Sequence, residues 1–298
     1  MLKVRVVSEF MRQDLVTLGP ETLVVEGIAK LQQHSITGAP VTDTNGRYLG
    51  MYSEKCCLNA LAPAMDELRR QAKTFDKAPR FMAKKIMVLR PEADVFESID
   101  QLLAKRVSGA PVLDTEDQFR GSFSEKTAMR VLINSAYDQI PGGLVGAYMN
   151  PDPKRIIHEE TDLTEAANLF RSTPFRRLPV LRGNSLLGQV SRRDVVARQF
   201  ALSQEIQGQS QLGTVVRHMD IMARTIRPND DLLTLAQIFH DTPYRRLPVL
   251  DGDYLVGQVS RRDLLRIAAD LVRPEPEHPK AHVLYLSPLL DSAPPQVL

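Results

Sequence analysis

Two stretches carry the side chains with the most evident chemistry in this chain: Gly188-Gln189-Val190-Ser191-Arg192-Arg193-Asp194 and Gly257-Gln258-Val259-Ser260-Arg261-Arg262-Asp263. A serine followed three residues later by an acid is a helix start, in which each side chain satisfies a backbone N–H at the first turn. The same geometry suits an anion. A helix N-terminus presents unpaired N–H groups and partial positive charge. Ser191 and Ser260 add hydroxyls there, and Arg193 and Arg262 add donors for a phosphate. Asp194 and Asp263 can accept from the hydroxyls of a ribose. Capping and ligand binding both remain open on these residues alone.

Each stretch follows a run of Arg-Arg-Leu-Pro-Val, at Arg176 to Val180 and Arg245 to Val249. Arg176, Arg177, Arg245 and Arg246 are suited to bidentate phosphate recognition, with solvated surface charge as the alternative. The recurrence extends upstream in weaker form. Gly38-Ala39-Pro40-Val41 returns as Gly109-Ala110-Pro111-Val112, and the same shift carries Phe10-Met11 onto Phe81-Met82 and Ser53-Glu54-Lys55 onto Ser124-Glu125-Lys126. The chain therefore holds four units in two like pairs, and the repeat is the unit of folding.

The elements that must position these residues follow from the hydrophobic period. Leu163, Ala166, Ala167 and Phe170 keep a helical spacing, as do Leu232, Leu235, Ala236 and Phe239; Val24, Ile28, Leu31 and Val95, Ile99, Leu102 give shorter stripes. Two apolar strands follow, joined by Arg182-Gly183-Asn184 in the third unit, Asp251-Gly252-Asp253 in the fourth and Asn45-Gly46 in the first. A second helix begins after the serine, with Leu264, Ile267, Ala268 and Leu271 on its buried face in the fourth unit. Leading strands are expected near Arg155 to Ile157 and Thr225 to Arg227, so each unit reads β-α-β-β-α. Joints are expected at Ala62 to Pro79, Ser135 to Leu144 and Ser203 to Thr214, and the proline-rich stretch from Val272 reads as a loosely docked tail.

Composition narrows the function. A chain of 298 residues with 43% hydrophobic residues can bury a core, and a formal charge of +2 gives no broad phosphate footprint, so nucleic acid is not an expected partner. No apolar run approaches the roughly 18 residues that a bilayer span needs, and MLKVRVVSEFMRQD lacks a signal-peptide core; the chain reads as cytoplasmic. Cys56 and Cys57 are adjacent and read as reduced thiols packed as small hydrophobes, with a redox switch as the alternative. The six histidines show no metal-ligand spacing. No nucleophile–base constellation is visible, and the repeats leave too little chain for a catalytic domain, so an enzyme is not expected.

The four units resemble tandem CBS domains, named after cystathionine β-synthase, in which two repeats form a Bateman module. The resemblance covers about residues 7–61, 83–132, 145–199 and 215–271. It implies an α/β (α+β) fold, with residues 1–140 as one module, 141–271 as a second and 272–298 as a tail. It further implies that Asp194 and Asp263 hold ribose hydroxyls and that Ser191 and Ser260 approach ribose or phosphate. Arg176, Arg177, Arg245 and Arg246 match phosphate-contacting positions of adenylate-sensing relatives such as the AMP-activated kinase gamma subunit. Gly213-Thr214 resembles an adenosine-site segment. The expected ligand is AMP, ADP or ATP, with S-adenosylmethionine or a ligand-free scaffold as alternatives, in an energy-sensing regulatory protein. A homodimer or an intramolecular disc is the expected assembly, acting on an unidentified protein partner. In the first two units Cys56 and Thr127 stand in place of the aspartate, and Thr37-Gly38 and Ser108-Gly109 replace the arginine pairs. An ordinary nucleotide site is therefore not expected there; the reading is a dimerisation or partner surface.

Overall fold

The computed structural model describes residues 6–71, 73–138, 143–204 and 212–272. The first repeat contains α1 (Val24–Gln33), the hairpin β1 (Gly38–Thr42) and β2 (Tyr48–Ser53), and α2 (Glu54–Arg70). The second repeats the order with α3 (Val95–Ala104), β3 (Gly109–Leu113), β4 (Phe119–Ser124) and α4 (Glu125–Asp138). A short helix, α5 (Val145–Tyr148), and a two-residue strand, β5 (Ile157–His158), open the third, followed by α6 (Leu163–Ser172), β6 (Arg177–Arg182), β7 (Ser185–Ser191) and α7 (Arg192–Ser203). The fourth has α8 (Leu232–Asp241), β8 (Arg246–Asp251), β9 (Tyr254–Ser260) and α9 (Arg261–Val272). This is the expected α+β repeat.

Local chemistry accounts for these elements. Asp162 caps α6 by accepting from Thr164 N and Glu165 N, while Glu165 accepts from Asp162 N at 2.7 Å. Asp94 and Asp231 cap α3 and α8 in related ways. Gly46, Gly183 and Gly252 take the left-handed turn position of three hairpins. The second-repeat hairpin fills that role with Asp117 at φ 57°, a residue type that tolerates this region. The leading strands are shorter than expected: β5 pairs in parallel with β6, whereas Ile226 makes a single parallel bridge to Val249.

The expected joint from Ala62 is corrected, because α2 runs on to Arg70. Pro63 removes one backbone donor, yet Leu61, Met65 and Leu68 continue a buried stripe that holds the helix together. Likewise α4 passes Ser135 and ends at Asp138. Residues 205–211 of the third joint and the tail from 273 lie outside the described residues.

The contacts group the repeats differently from the two sequence halves. One apolar core joins the first and third repeats, with Leu58, Leu61 and Met65 against Phe170, Val195 and Val196; the other joins the second and fourth, with Met129 and Leu132 against Phe239 and Leu264. These are helix-to-helix contacts. Across the sheets the partners change. Arg12 bridges Gln258 and Met51 bridges Asp220, which joins repeats one and four; Ala83 bridges Gln189 and Ser122 bridges Asn150, which joins two and three. The signature glycine explains the closeness: a Cβ on Gly188 would sit 2.6 Å from Ala83 O, so only glycine admits the neighbour's leading segment. Two sheet-paired units result, one from the first and fourth repeats and the other from the second and third, and contacts run in a ring of first, fourth, second, third. Repeat similarity identifies folding units and says nothing about which surfaces meet. The pairing has a cause in side-chain chemistry: Arg177 and Arg246 need acceptors at the facing strand starts, and repeats two and one supply them.

Candidate functional site

The first arginine of each Ser-Arg-Arg-Asp sequence is structural. Arg192 is buried beneath α6, stacks over Phe170 at 5.8 Å and donates from Nη2 to the carbonyl oxygens of Phe170, Thr173 and Phe175. Arg261 does the same beneath α8, donating to Phe239 O at 2.8 Å, Thr242 O at 3.3 Å and Tyr244 O at 2.6 Å. Each guanidinium thus ties the C-terminal end of one helix to the start of the next, where unpaired carbonyls favour a cation.

The second arginine turns inward. Arg193 and Arg262 meet Arg176, Arg177, Arg245 and Arg246 around a cavity of about 230 Å³ where the four repeats converge. Arg106 completes the cationic wall, and Ser35, Thr37, Ser108 and Ser191 add polar groups. Among the described residues, two carboxylates hydrogen-bond to these arginines. Glu125, almost wholly buried, accepts from Arg245 Nε at 3.0 Å and Nη2 at 3.1 Å, and from Arg262 Nε at 3.2 Å. Glu54 occupies the equivalent place in the first repeat but has a single long contact, 3.4 Å from Arg193 Nε. The two halves of the cluster are therefore unequal. Arg245 is locked on Glu125, whereas the Arg176 guanidinium donates no hydrogen bond to a described residue.

Sheet partners hold the remaining pair. Arg177 Nε donates to Ser108 Oγ at 3.0 Å, and Arg246 Nη1 donates to Thr37 Oγ1 at 3.0 Å and Gly38 O at 3.3 Å. Burial, with Arg192 and Arg245 close by, pushes Arg176 down to about 9 from its usual 12.5, and burial beside Arg245 pushes Arg246 down to about 10. Both stay charged at neutral pH, so the cavity holds uncompensated positive charge, which stabilises an anion placed in it.

The predicted aspartates sit elsewhere. Asp194 Oδ2 accepts from Ser191 N at 2.8 Å and Ser191 Oγ at 2.7 Å, and Asp263 Oδ2 holds Ser260 in the same way. Both are capping boxes, and the caps leave Oδ1 of each aspartate out. In the fourth repeat that oxygen is taken by Arg12 Nη2 at 3.0 Å, whereas the second-repeat residue placed like Arg12 is Ala83, which brings no charge. Of the predicted residues, Arg176, Arg177, Ser191, Arg193, Arg245, Arg246 and Arg262 come together at the central cavity. Asp194, Ser260, Asp263 and Thr214 do not line it; Thr214 bridges Leu23 at the start of α1. Sequence reasoning passed over Glu54 and Glu125, whose signal was the acid after the signature serine in the first two repeats. Cys56 and Cys57 are free and buried, and burial raises both thiols, as packed small hydrophobes should behave.

A second cavity, of about 480 Å³, opens beside the first between the second and third repeats and shares Ser108, Arg176, Arg177 and Arg245 with it. Among the described residues no helix is long and apolar enough to cross a membrane.

Comparison with known proteins places these repeats. The chain is 23% identical over 282 residues to an uncharacterised protein of Methanocaldococcus jannaschii, covering 89% of this chain and 99% of that one. It is 26% identical over 202 residues to the chloroplastic CBS domain-containing protein CBSX2 of Arabidopsis thaliana, covering 67% of this chain and 65% of that protein. A crystal structure of CBSX2 in complex with AMP aligns at a TM-score of 0.38 and 30% identity over 44% of this chain and 98% of that chain. The family model described as the CBS domain matches at residues 7–63, 78–134, 145–200 and 216–270, and the chain therefore belongs to the CBS-domain family.

Proposed function

We propose that this chain is a non-catalytic regulatory module that binds an adenine nucleotide with its phosphates in the central arginine cavity. One observation carries the reading: seven arginines face a cavity answered by two carboxylates, and Arg176 has no hydrogen-bonded partner of its own among the described residues. Ribose recognition falls to Asp194, whose Oδ1 lies outside the cap. Asp263 is the weaker candidate, because Arg12 already occupies its outer oxygen. The alternating ring of repeats gives bound phosphates a means of regulation, since they would draw Arg176 and Arg193 of one repeat toward Arg245 and Arg246 of another. Only a difference in affinity between two arrangements transmits such a signal.

The test is thermal stability of the full chain with AMP, ADP and ATP, compared between wild type, Asp194→Ala, Asp263→Ala and the variant carrying both substitutions. Stabilisation by at least one nucleotide is expected, with the larger loss in Asp194→Ala. Equal stabilisation in wild type and the double variant would reject the ribose assignment. No stabilisation by any of the three nucleotides, with a shift by S-adenosylmethionine, would reassign the ligand.

A further inference from the structure

Two large apolar side chains stand out from the surface side by side: Ile221 is 67% exposed and Met222 is 81% exposed. They form the outer corner of a turn in the leading segment of the fourth repeat. That turn is held from below. Asp220 Oδ1 accepts from Met222 N at 3.0 Å, and the Tyr244 hydroxyl lies 3.3 Å from Met222 O and 3.5 Å from Asp220 Oδ2. Ala223, the next residue, is buried. The backbone is therefore fixed on both sides of the corner, which keeps the two side chains pointing outward.

The third repeat builds the same turn with other side chains. Asn150 Oδ1 accepts from Asp152 N at 2.8 Å, and Asn150 bridges Ser122 as Asp220 bridges Met51. There the corner carries Pro151 and Asp152; the matching pairs are Gln13-Asp14 in the first repeat and Lys84-Lys85 in the second. The turn thus forms without apolar residues at its corner, and folding gives no reason for Ile221 and Met222. Exposed apolar side chains of this kind mark a contact surface. The charge around them has one sign: Arg217, Arg224 and Arg227 are exposed, and none has an ion-pair partner among the described residues. Asp220 is the one acid between Val215 and Pro228, and its carboxylate is spent on the turn itself.

We propose that this turn docks the protein on the surface of a bilayer that contains anionic lipid. Ile221 and Met222 enter the acyl boundary, and Arg217, Arg224 and Arg227 meet headgroup phosphates. At these exposures the corner protrudes, and a fluid acyl layer accepts a protruding pair with no pocket shaped for it. The contact is with the membrane surface and does not span it. None of these residues lines the central arginine cavity, so the contact stands apart from the nucleotide reading.

The chain has no tryptophan, so Met222→Trp sets a single reporter at the corner and Lys85→Trp sets one at the matching position of the second repeat. The full chain, free of nucleotide, is mixed with vesicles of phosphatidylcholine alone or of phosphatidylcholine and phosphatidylglycerol in equal parts. Emission from Met222→Trp is expected to shift to the blue on the mixed vesicles, and emission from Lys85→Trp to stay unchanged. In flotation, wild type should partition onto the mixed vesicles, and joint replacement Ile221→Ser and Met222→Ser should weaken this by about tenfold or more, as for withdrawal of roughly half of each side chain from the apolar layer. Arg224→Gln should weaken it about fivefold, and added salt should weaken wild type. No partition of wild type onto mixed vesicles, equal partition onto phosphatidylcholine alone, or partition that survives the double serine variant overturns the proposal. An equal blue shift from both reporters, which is general adsorption, overturns it too. So does self-association that the serine variant abolishes with no vesicle binding in wild type, which assigns the turn to contact with a second copy of the chain.

Discussion

Arg176 is the residue whose removal should have opposite effects on the free and the liganded protein. Arg176→Met keeps much of the apolar stem and removes the charge. A guanidinium held at about 9 instead of 12.5 corresponds to at most about 5 kcal/mol of desolvation and repulsion in the charged form. The side chain still faces the cavity, where water and ions screen it, so a release of about 1 kcal/mol is the reasonable expectation. For a chain of this size that raises the ligand-free melting temperature by about 2–4 °C.

With nucleotide the sign reverses. A charged hydrogen bond to phosphate contributes about 1.5–3 kcal/mol, so its loss weakens binding by about 10- to 150-fold. At a nucleotide concentration near 100 times the wild-type dissociation constant, wild type gains about 2.7 kcal/mol and the variant about 0.3–1.4 kcal/mol. Differential scanning fluorimetry with and without ATP measures both terms in one experiment. A ligand-free melting temperature that falls by several degrees, together with an undiminished nucleotide shift, would refute the assignment of Arg176 as an unpaired cation awaiting phosphate.

The two glutamates should separate in urea denaturation: Glu125→Gln strips Arg245 and Arg262 of a buried counter-charge and is expected to cost about 3–5 kcal/mol, whereas Glu54→Gln, also buried but with one contact at 3.4 Å, should cost less. Gly188→Ala places a Cβ 2.6 Å from Ala83 O, so the second repeat's leading segment must shift at a cost of about 1–3 kcal/mol; hydrogen exchange at the Ala83 and Gln189 amides, which bond to each other's carbonyls, should accelerate.

Much of the repeat was legible because it rests on local chemistry. The Ser191–Asp194 and Ser260–Asp263 caps, the glycine turns at Gly183 and Gly252 and the stripe through Phe170 all follow from spacing within a few residues. The central cavity was legible in part, since Arg176, Arg193 and Arg245 belong to sequence runs that repeat. Its counter-charges were not, because Glu125 meets Arg245 across 120 positions of sequence and no local pattern registers that approach. The second-repeat cavity escaped for a related reason: its cations come from the third and fourth repeats, while the motif at its floor, Ser124 to Thr127, reads as a signature with a missing acid.

The ring order also accounts for the way the repeats have diverged. The first two repeats carry Glu54 and Glu125 after the signature serine and Thr37 or Ser108 before the strand; the last two carry Arg192 and Arg261, and the arginine pairs, at those positions. Sheet pairing of third with fourth repeat would set Arg177 where it now meets Ser108, facing Arg245, and Arg246 facing Arg176. Each such pair would bring like charges together with no acceptor between them. In the observed order, repeats from the two halves alternate. Every basic repeat then meets hydroxyl acceptors across its sheet and a glutamate across its helices: Arg177 on Ser108 with Arg193 on Glu54, and Arg246 on Thr37 with Arg245 on Glu125. The same alternation collects the arginines around one cavity without direct pairing of their guanidinium groups, and Glu125, bound twice by Arg245, fixes one side of it. The opposite side, at Arg176 and Glu54, keeps the looser contacts, and it is there that an incoming phosphate has least to displace.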